Sequence, residues 1–260
     1  MFHNQFKRKL FDPAEDTTFG VFVGFPSTQV IEMAGYNHFD VAVIDNEHGM
    51  LTPENVEHMV IASELVRLTP LVRVVSSEPS EILKMMDRGA HGVHVPQVDT
   101  KEEAERVVQA VKYPPFGKRG AAFSMRAARY GTIPIHEYLS QANRESLVCV
   151  HLESTKAMEN IEGILSVQGI DVVYIGPTDL SVSLGFGGRI DHPEVLKAID
   201  KIHETARSYG VKVGIHTKDA KGAQARKAWG ADYVCLTVTS LINQAFSQYI
   251  EQARLSKINQ

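Results

Sequence analysis

The chain has 260 residues, 43% hydrophobic and 22% charged, enough to bury a full core and suited to a single large α/β domain over residues 1–260. A formal charge of −4 gives neither a basic footprint for nucleic acid nor a polybasic membrane patch, so a small soluble ligand is the expected partner. No apolar run approaches the roughly 20 residues of a membrane helix, residues 1–10 are too polar for a secretory leader, and Cys149 and Cys235 read as buried reduced thiols, so a cytoplasmic protein is expected.

Short β-branched runs alternate with helical periodicity along nearly the whole chain. In order, strand 20–24 precedes helix 29–34, strand 41–44 precedes helix 54–67, strand 71–75 precedes helix 80–88, and strand 92–95 precedes helix 101–111. After a break, strand 148–152 precedes helix 156–166, strand 172–175 is followed by helix 193–209, strand 212–215 by helix 219–229, and strand 233–236 by helix 241–257. Strands that alternate with helices pair in parallel, and eight such units close most naturally into a (β/α)8 TIM barrel. Boundary residues agree: Thr52 before Pro53 reads as a cap with proline in the first turn, and Gly89, Gly210 and Gly230 follow helical runs where a left-handed residue is wanted. The break is a long insertion between strands 4 and 5, residues 113–144, expected on the active-site face as a lid or a subunit contact.

In such a barrel, residues just past the carboxyl ends of strands meet at the catalytic mouth. Glu153 follows the fifth strand and Asp179 the sixth; two carboxylates there suit Mg²⁺ or Mn²⁺, although each could equally cap the helix that follows. Between them, Gly176 allows close backbone approach, and amides near Thr178 can hold an anion. His151 lies two residues before Glu153, on the same face of a regular strand, and either lines the pocket or joins the metal sphere, or is a hydrogen-bonded core histidine. His48, in Asp45-Asn46-Glu47-His48, can serve as a general base near neutral pH or merely hydrogen-bond beside a helix cap. Arg73 stands inside an apolar strand and must have an anionic partner, either a permanent carboxylate or a bound substrate oxygen. Asp87 ends a helix and does not stand out by itself, while Arg126 and Arg129 read as a solvated or intersubunit face.

Taken together, Asp45-Asn46-Glu47-His48, Arg73, Met86-Asp87-Arg88-Gly89-Ala90, Tyr113-Pro114-Pro115-Phe116-Gly117-Lys118-Arg119-Gly120, Leu152-Glu153-Ser154 and Tyr174-Ile175-Gly176-Pro177-Thr178-Asp179-Leu180-Ser181 closely resemble the metal-dependent class II pyruvate aldolases of the 4-hydroxy-2-oxoheptane-1,7-dioate aldolase family. The resemblance runs from about Gly20 to beyond Leu236. It implies reversible cleavage of a 4-hydroxy-2-oxoacid to pyruvate and an aldehyde through a metal-stabilised pyruvate enolate, with no Schiff-base lysine, in a homo-oligomer that is usually a hexamer. By position, Glu153 and Asp179 would bind the divalent cation (Mg²⁺ or Mn²⁺, with Co²⁺ a further candidate), and Arg73 would hold the pyruvyl oxygen. Gly176 and Thr178 would offer amides to the carboxylate, and His48 would move protons with Asp87 as its orienting partner. The chain departs from the pattern at Asn46, where glycine is usual, His151, where glutamine is usual, and Phe22, where tryptophan is common. The alternatives are a citrate-lyase-like carbon–carbon lyase acting on a coenzyme A thioester, and a non-catalytic 2-oxoacid-binding barrel.

Overall fold

A computed structural model describes residues 3–255. Eight parallel strands, β1 (Thr18–Val23), β2 (Val41–Asp45), β3 (Thr69–Arg73), β4 (Gly92–Val95), β5 (Leu147–His151), β6 (Val172–Ile175), β7 (Lys212–His216) and β8 (Tyr233–Thr237), close in sequence order into one barrel, β8 pairing back onto β1. The period-2 alternation of each strand sorts its residues into two cores. Phe22, Val41, Val43, Leu71, Leu147, Cys149, Val172, Tyr174, Tyr233 and Cys235 fill the barrel interior, while Val21, Val23, Ala42, Ile44, Val72 and their equivalents face the surrounding helices.

The helices are α1 (Gln5–Phe11), α2 (Thr28–Tyr36), α3 (Pro53–Leu65), α4 (Pro79–Asp87), α5 (Lys101–Val111), α6 (Ile135–Glu145), α7 (Thr155–Glu159), α8 (Ile161–Leu165), α9 (Pro177–Ser183), α10 (Pro193–Ser208), α11 (Ala220–Trp229) and α12 (Val238–Leu255). The expected start of α3 is present as a capping box, Thr52 accepting from the Asn55 amide and the Asn55 side chain accepting from the Thr52 amide. Gly230, at φ 99°, ends α11 in the left-handed region as read from the sequence. The expected helix 156–166 is divided at Asn160, whose side-chain amide donates to the carbonyls of Asp99 and Lys156. The last two residues of the expected helix 241–257 lie outside the described residues. Among the described residues no helix is long and apolar enough to cross a membrane.

Two features differ from expectation. The helix α1, unassigned in the sequence because its run is short and half basic, closes the amino end of the barrel: Phe6 is buried with its ring 4.8 Å from that of Tyr233. Asn4, also buried, anchors it through bonds to the His91 and Glu145 carbonyls. The insertion is on the opposite side from the one expected. It follows α5, which has already carried the chain back to the amino ends of the strands. There Arg119 pairs with Asp87 at 2.8 Å and Arg126 with Glu64 at 2.6 Å, so the segment cannot be a lid over its own mouth.

Candidate active site

The parallel register sets Asp45 beside Arg73 at the carboxyl ends of β2 and β3, and the same inward parity aims both side chains into the mouth. Arg73 donates from Nε and Nη2 to the two Asp45 oxygens at 2.8 and 2.7 Å, and Nη1 lies 3.0 Å from Glu47 Oε2. Arg73 thus has a permanent carboxylate partner, one of the two readings its sequence position left open. Burial works to raise the Asp45 carboxyl, but the Arg73 hydrogen bonds and charge hold it below the usual range. Asp45 also accepts from the backbone amides of Glu47 and His48 at 3.1 and 3.4 Å, which shapes the turn carrying the histidine. His48 is largely exposed, with Nε2 3.6 Å from Glu47, whose own carboxyl is pushed up by burial despite Arg73.

Across the mouth, Glu153 and Asp179 close on one spot above Gly176. A Cβ on Gly176 would lie 2.9 Å from Glu153 Oε2 and 3.1 Å from Asp179 Oδ2, so the absence of a side chain is what lets the two carboxylates approach. Glu153 is buried and Asp179 exposed, giving a site with one protected and one open side. The Gln97 amide donates to Glu153 Oε1 at 3.0 Å, and His151 Nδ1 lies 3.4 Å from Oε2. Burial would raise the Glu153 carboxyl, yet the His151 contact and the Gln97 amide bring it down, so it stays ionised at neutral pH. Gln97 takes φ 52°, an uncommon conformation for a non-glycine residue that turns its amide toward the carboxylate.

The donors fit a hard divalent cation: carboxylate oxygens, one side open, and no cation among the described residues paired with Asp179. A second donor set lies beneath it. His94, Cys149 and His151 are buried together inside the barrel, with His94 Nδ1 3.0 Å from His151 Nε2 and 3.6 Å from Cys149 Sγ. Nitrogen and sulfur donors there would suit a softer ion. Burial pushes the thiol well up, so it remains protonated, and the two imidazoles already share a hydrogen bond. The trio therefore acts as the support under Glu153. If His151 donates to that carboxylate as a neutral imidazole, its other nitrogen accepts from His94; as an imidazolium it would donate to both.

Of the residues singled out in the sequence, Arg73, His48, His151, Glu153, Gly176, Thr178 and Asp179 stand at or beside the mouth, Thr178 exposed in the first turn of α9. Asp87 does not: it ends α4 near the amino face, with its carboxylate on Arg119, whose guanidinium lies 4.7 Å from the Tyr113 ring. Within one chain it makes no ion pair with His48. Arg126 pairs with Glu64 on the amino face, away from the mouth. The sequence reading gave no role of their own to Asp45, Gln97, His94 and His216. Parity along β2, β4 and β7 could have flagged Asp45, His94 and His216, whereas nothing local marks Gln97.

The sequence profile of the HpcH/HpaI aldolase/citrate lyase family matches residues 18–243. A 2-keto-3-deoxy-L-rhamnonate aldolase of Salmonella gallinarum is 37% identical over 228 residues, 87% of this chain and 85% of that protein. The crystal structure of an HpcH/HpaI aldolase/citrate lyase family protein from Burkholderia cenocepacia superposes with a TM-score of 0.91 at 29% identity, covering 96% of this chain and 99% of that one. An HpcH/HpaI aldolase from Desulfitobacterium hafniense gives 0.87 at 26%, covering 92% and 93%. With a closed parallel barrel, two carboxylates converging over Gly176 and a match across nearly the whole chain, the protein belongs to the HpcH/HpaI family and is a lyase of the aldolase type.

Proposed function

We propose that the protein, as a single domain, is a divalent-metal-dependent aldolase that reversibly cleaves a 4-hydroxy-2-oxoacid of the 2-keto-3-deoxy sugar-acid class to pyruvate and an aldehyde. The observation that carries this reading is the convergence of Glu153 and Asp179 above Gly176, in the same mouth as Arg73. Glu153 and Asp179 would hold Mg²⁺, Mn²⁺ or Co²⁺, and the bound cation supplies Lewis-acid stabilisation of charge developing on the 2-oxo group. Gly176 leaves room for the substrate carboxylate, and the amide of Thr178 is available to it in the first turn of α9. His48, with its ring in solvent, takes the proton of the C4 hydroxyl as the C3–C4 bond breaks. The bond electrons pass to the pyruvate enolate, whose charge Arg73 faces. Asp45 and Glu47 keep that guanidinium in place, and His151 with the Gln97 amide does the same for Glu153.

Asp87 can orient His48 only from another subunit, because in its own chain it is at the far end of the barrel on Arg119. Assembly is further supported by α12, which leaves Phe246, Tyr249 and Ile250 exposed. An open apolar groove of about 400 Å³, lined in part by Phe19, Phe39, Ala223, Val234 and Leu236, adds to this. We read the protein as a cytoplasmic homo-oligomer of the hexameric kind, consistent with its two buried free cysteines.

The test is proton NMR of pyruvate in D₂O. Methyl-proton exchange should appear with Mn²⁺ or Mg²⁺, vanish with a chelator, and be lost in Glu153→Ala and Asp179→Ala. Absence of exchange in the metal-loaded protein would overturn the reading and favour a thioester lyase or a binding protein.

A further inference from the structure

Of the strands around the mouth, β2 to β6 and the loops behind them carry the groups that serve the metal, the pyruvate half and the C4 proton: His48, Arg73, Gln97, Glu153, Gly176 and Asp179. The remaining arc, β7, β8 and β1, presents His216, Thr237 and Phe22, which that chemistry leaves unused. Register places them side by side, His216 against Cys235 and Thr237 against Phe22.

His216 is the last residue of β7 and shares the inward parity of Gly214. Since Gly214 has no side chain, the rings of Tyr174 and Tyr233 occupy that level of the barrel; a Cβ there would come within 2.7 and 2.6 Å of them. The Tyr174 hydroxyl consequently rises to 3.1 Å from His216 Nδ1. The Phe22 ring meets the imidazole edge-on at 5.6 Å and also lies 5.0 Å below the Arg73 guanidinium. The imidazole is thus held by one hydrogen bond and one ring contact. Unlike the fully buried His94 and His151 it is partly exposed, and among the described residues no hydrogen bond engages its Nε2.

We propose that His216 Nε2 recognises a neutral hydroxyl on the aldehyde half of the substrate, beyond C4, and so selects hydroxylated aldehydes over alkyl and acidic ones. The inference rests on the aldolase reading above. Burial, then the neighbouring Arg73 and His151 charges, hold the imidazole at a pKa of about 4, so at neutral pH it is an uncharged hydrogen-bonding group. An uncharged imidazole pairs well with a hydroxyl and poorly with a terminal carboxylate, which would want a cation.

The experiment runs the reaction in the addition direction, with pyruvate, Mn²⁺ and either lactaldehyde or propanal, which have the same number of carbons and differ by one hydroxyl; succinic semialdehyde serves as the acidic comparison. The full-length protein should favour lactaldehyde over propanal in kcat/KM by roughly three- to tenfold, the range of one net hydrogen bond. In His216→Leu that ratio should fall toward one, with KM for lactaldehyde rising more than KM for propanal, and His216→Gln, which can still hydrogen-bond, should recover part of it. A ratio that survives in His216→Leu, equal losses with both aldehydes, or a wild-type preference for succinic semialdehyde would overturn the inference. Should the leucine variant not fold, the glutamine variant compared with His216→Ala gives the same readout. Pyruvate methyl exchange, which involves no aldehyde, separates the two levels. Exchange with no hydroxyl selectivity refutes only the role of His216, whereas no exchange in the wild type refutes the aldolase reading and this inference with it.

Discussion

Gly176→Ala isolates the geometry of the two carboxylates. The backbone there, φ −94° and ψ 92°, is open to any residue, so alanine introduces no strain and shortens the list of unfolded conformations. Its methyl group would instead sit 2.9 Å from Glu153 Oε2 and 3.1 Å from Asp179 Oδ2, where about 3.4 Å is ordinary contact. The oxygens must therefore retreat by a few tenths of an ångström each. Glu153 is tied by the Gln97 amide and His151, so exposed Asp179 yields most. Metal–oxygen distances tolerate only about 0.2 Å, so displacement of this size should weaken Mn²⁺ binding by at least tenfold, about 1.4 kcal/mol. Global stability should change by less than about 1 kcal/mol. Manganese binding followed by electron paramagnetic resonance, beside urea unfolding of the metal-free protein, separates the two effects. Wild-type Mn²⁺ affinity in a folded Gly176→Ala protein would refute the placement of the cation between these carboxylates.

Arg73→Met should destabilise the protein by about 3 kcal/mol, because it leaves Asp45 buried without its cation; urea denaturation reads this directly, and an unchanged midpoint would contradict the pairing. Stability should also decline as pH falls from about 4.5 to about 2. Burial would raise the Glu64 carboxyl from its ordinary 4.5, but hydrogen bonds from His91 and Arg126 pull it down to about 2, and Asp45 is lowered likewise by Arg73. Carboxyls with a depressed folded pKa contribute fully above their unfolded value and lose that contribution on acidification through the folded one. Glu64→Gln should flatten this part of the thermal-denaturation profile, and an acid slope identical to wild type would count against it. Finally, Phe246→Glu combined with Tyr249→Glu should convert an assembly into smaller species by light scattering, while each chain keeps its circular dichroism; an unaltered mass would show that α12 is not an interface.

The alternation of β-branched runs with amphipathic ones was legible from the start, because the strands are buried on both faces and most helices on one, and both periods are written in local sequence. The eight strands fall where the runs place them, to within two residues at their ends. Glu153 and Asp179 were legible for the same reason: the end of a buried strand in a parallel barrel is the mouth. Asn160, where the helix divides, shows the limit, since its side-chain amide donates to the Asp99 carbonyl, in a different loop.

What the chain determined alone was therefore the period of each element and the identity of groups at strand ends. Only the closed barrel decided which of them meet: Asp45 with Arg73, His94 under His151, His216 against Tyr174 and Phe22. Tertiary structure also decided the side of the insertion, because a segment that follows a returning helix emerges at the amino ends of the strands whatever its composition. The physical reason is the same in each case. Periodicity depends on near neighbours along the chain, whereas these pairings join residues 28 to 194 positions apart, which only closure of the sheet brings into contact.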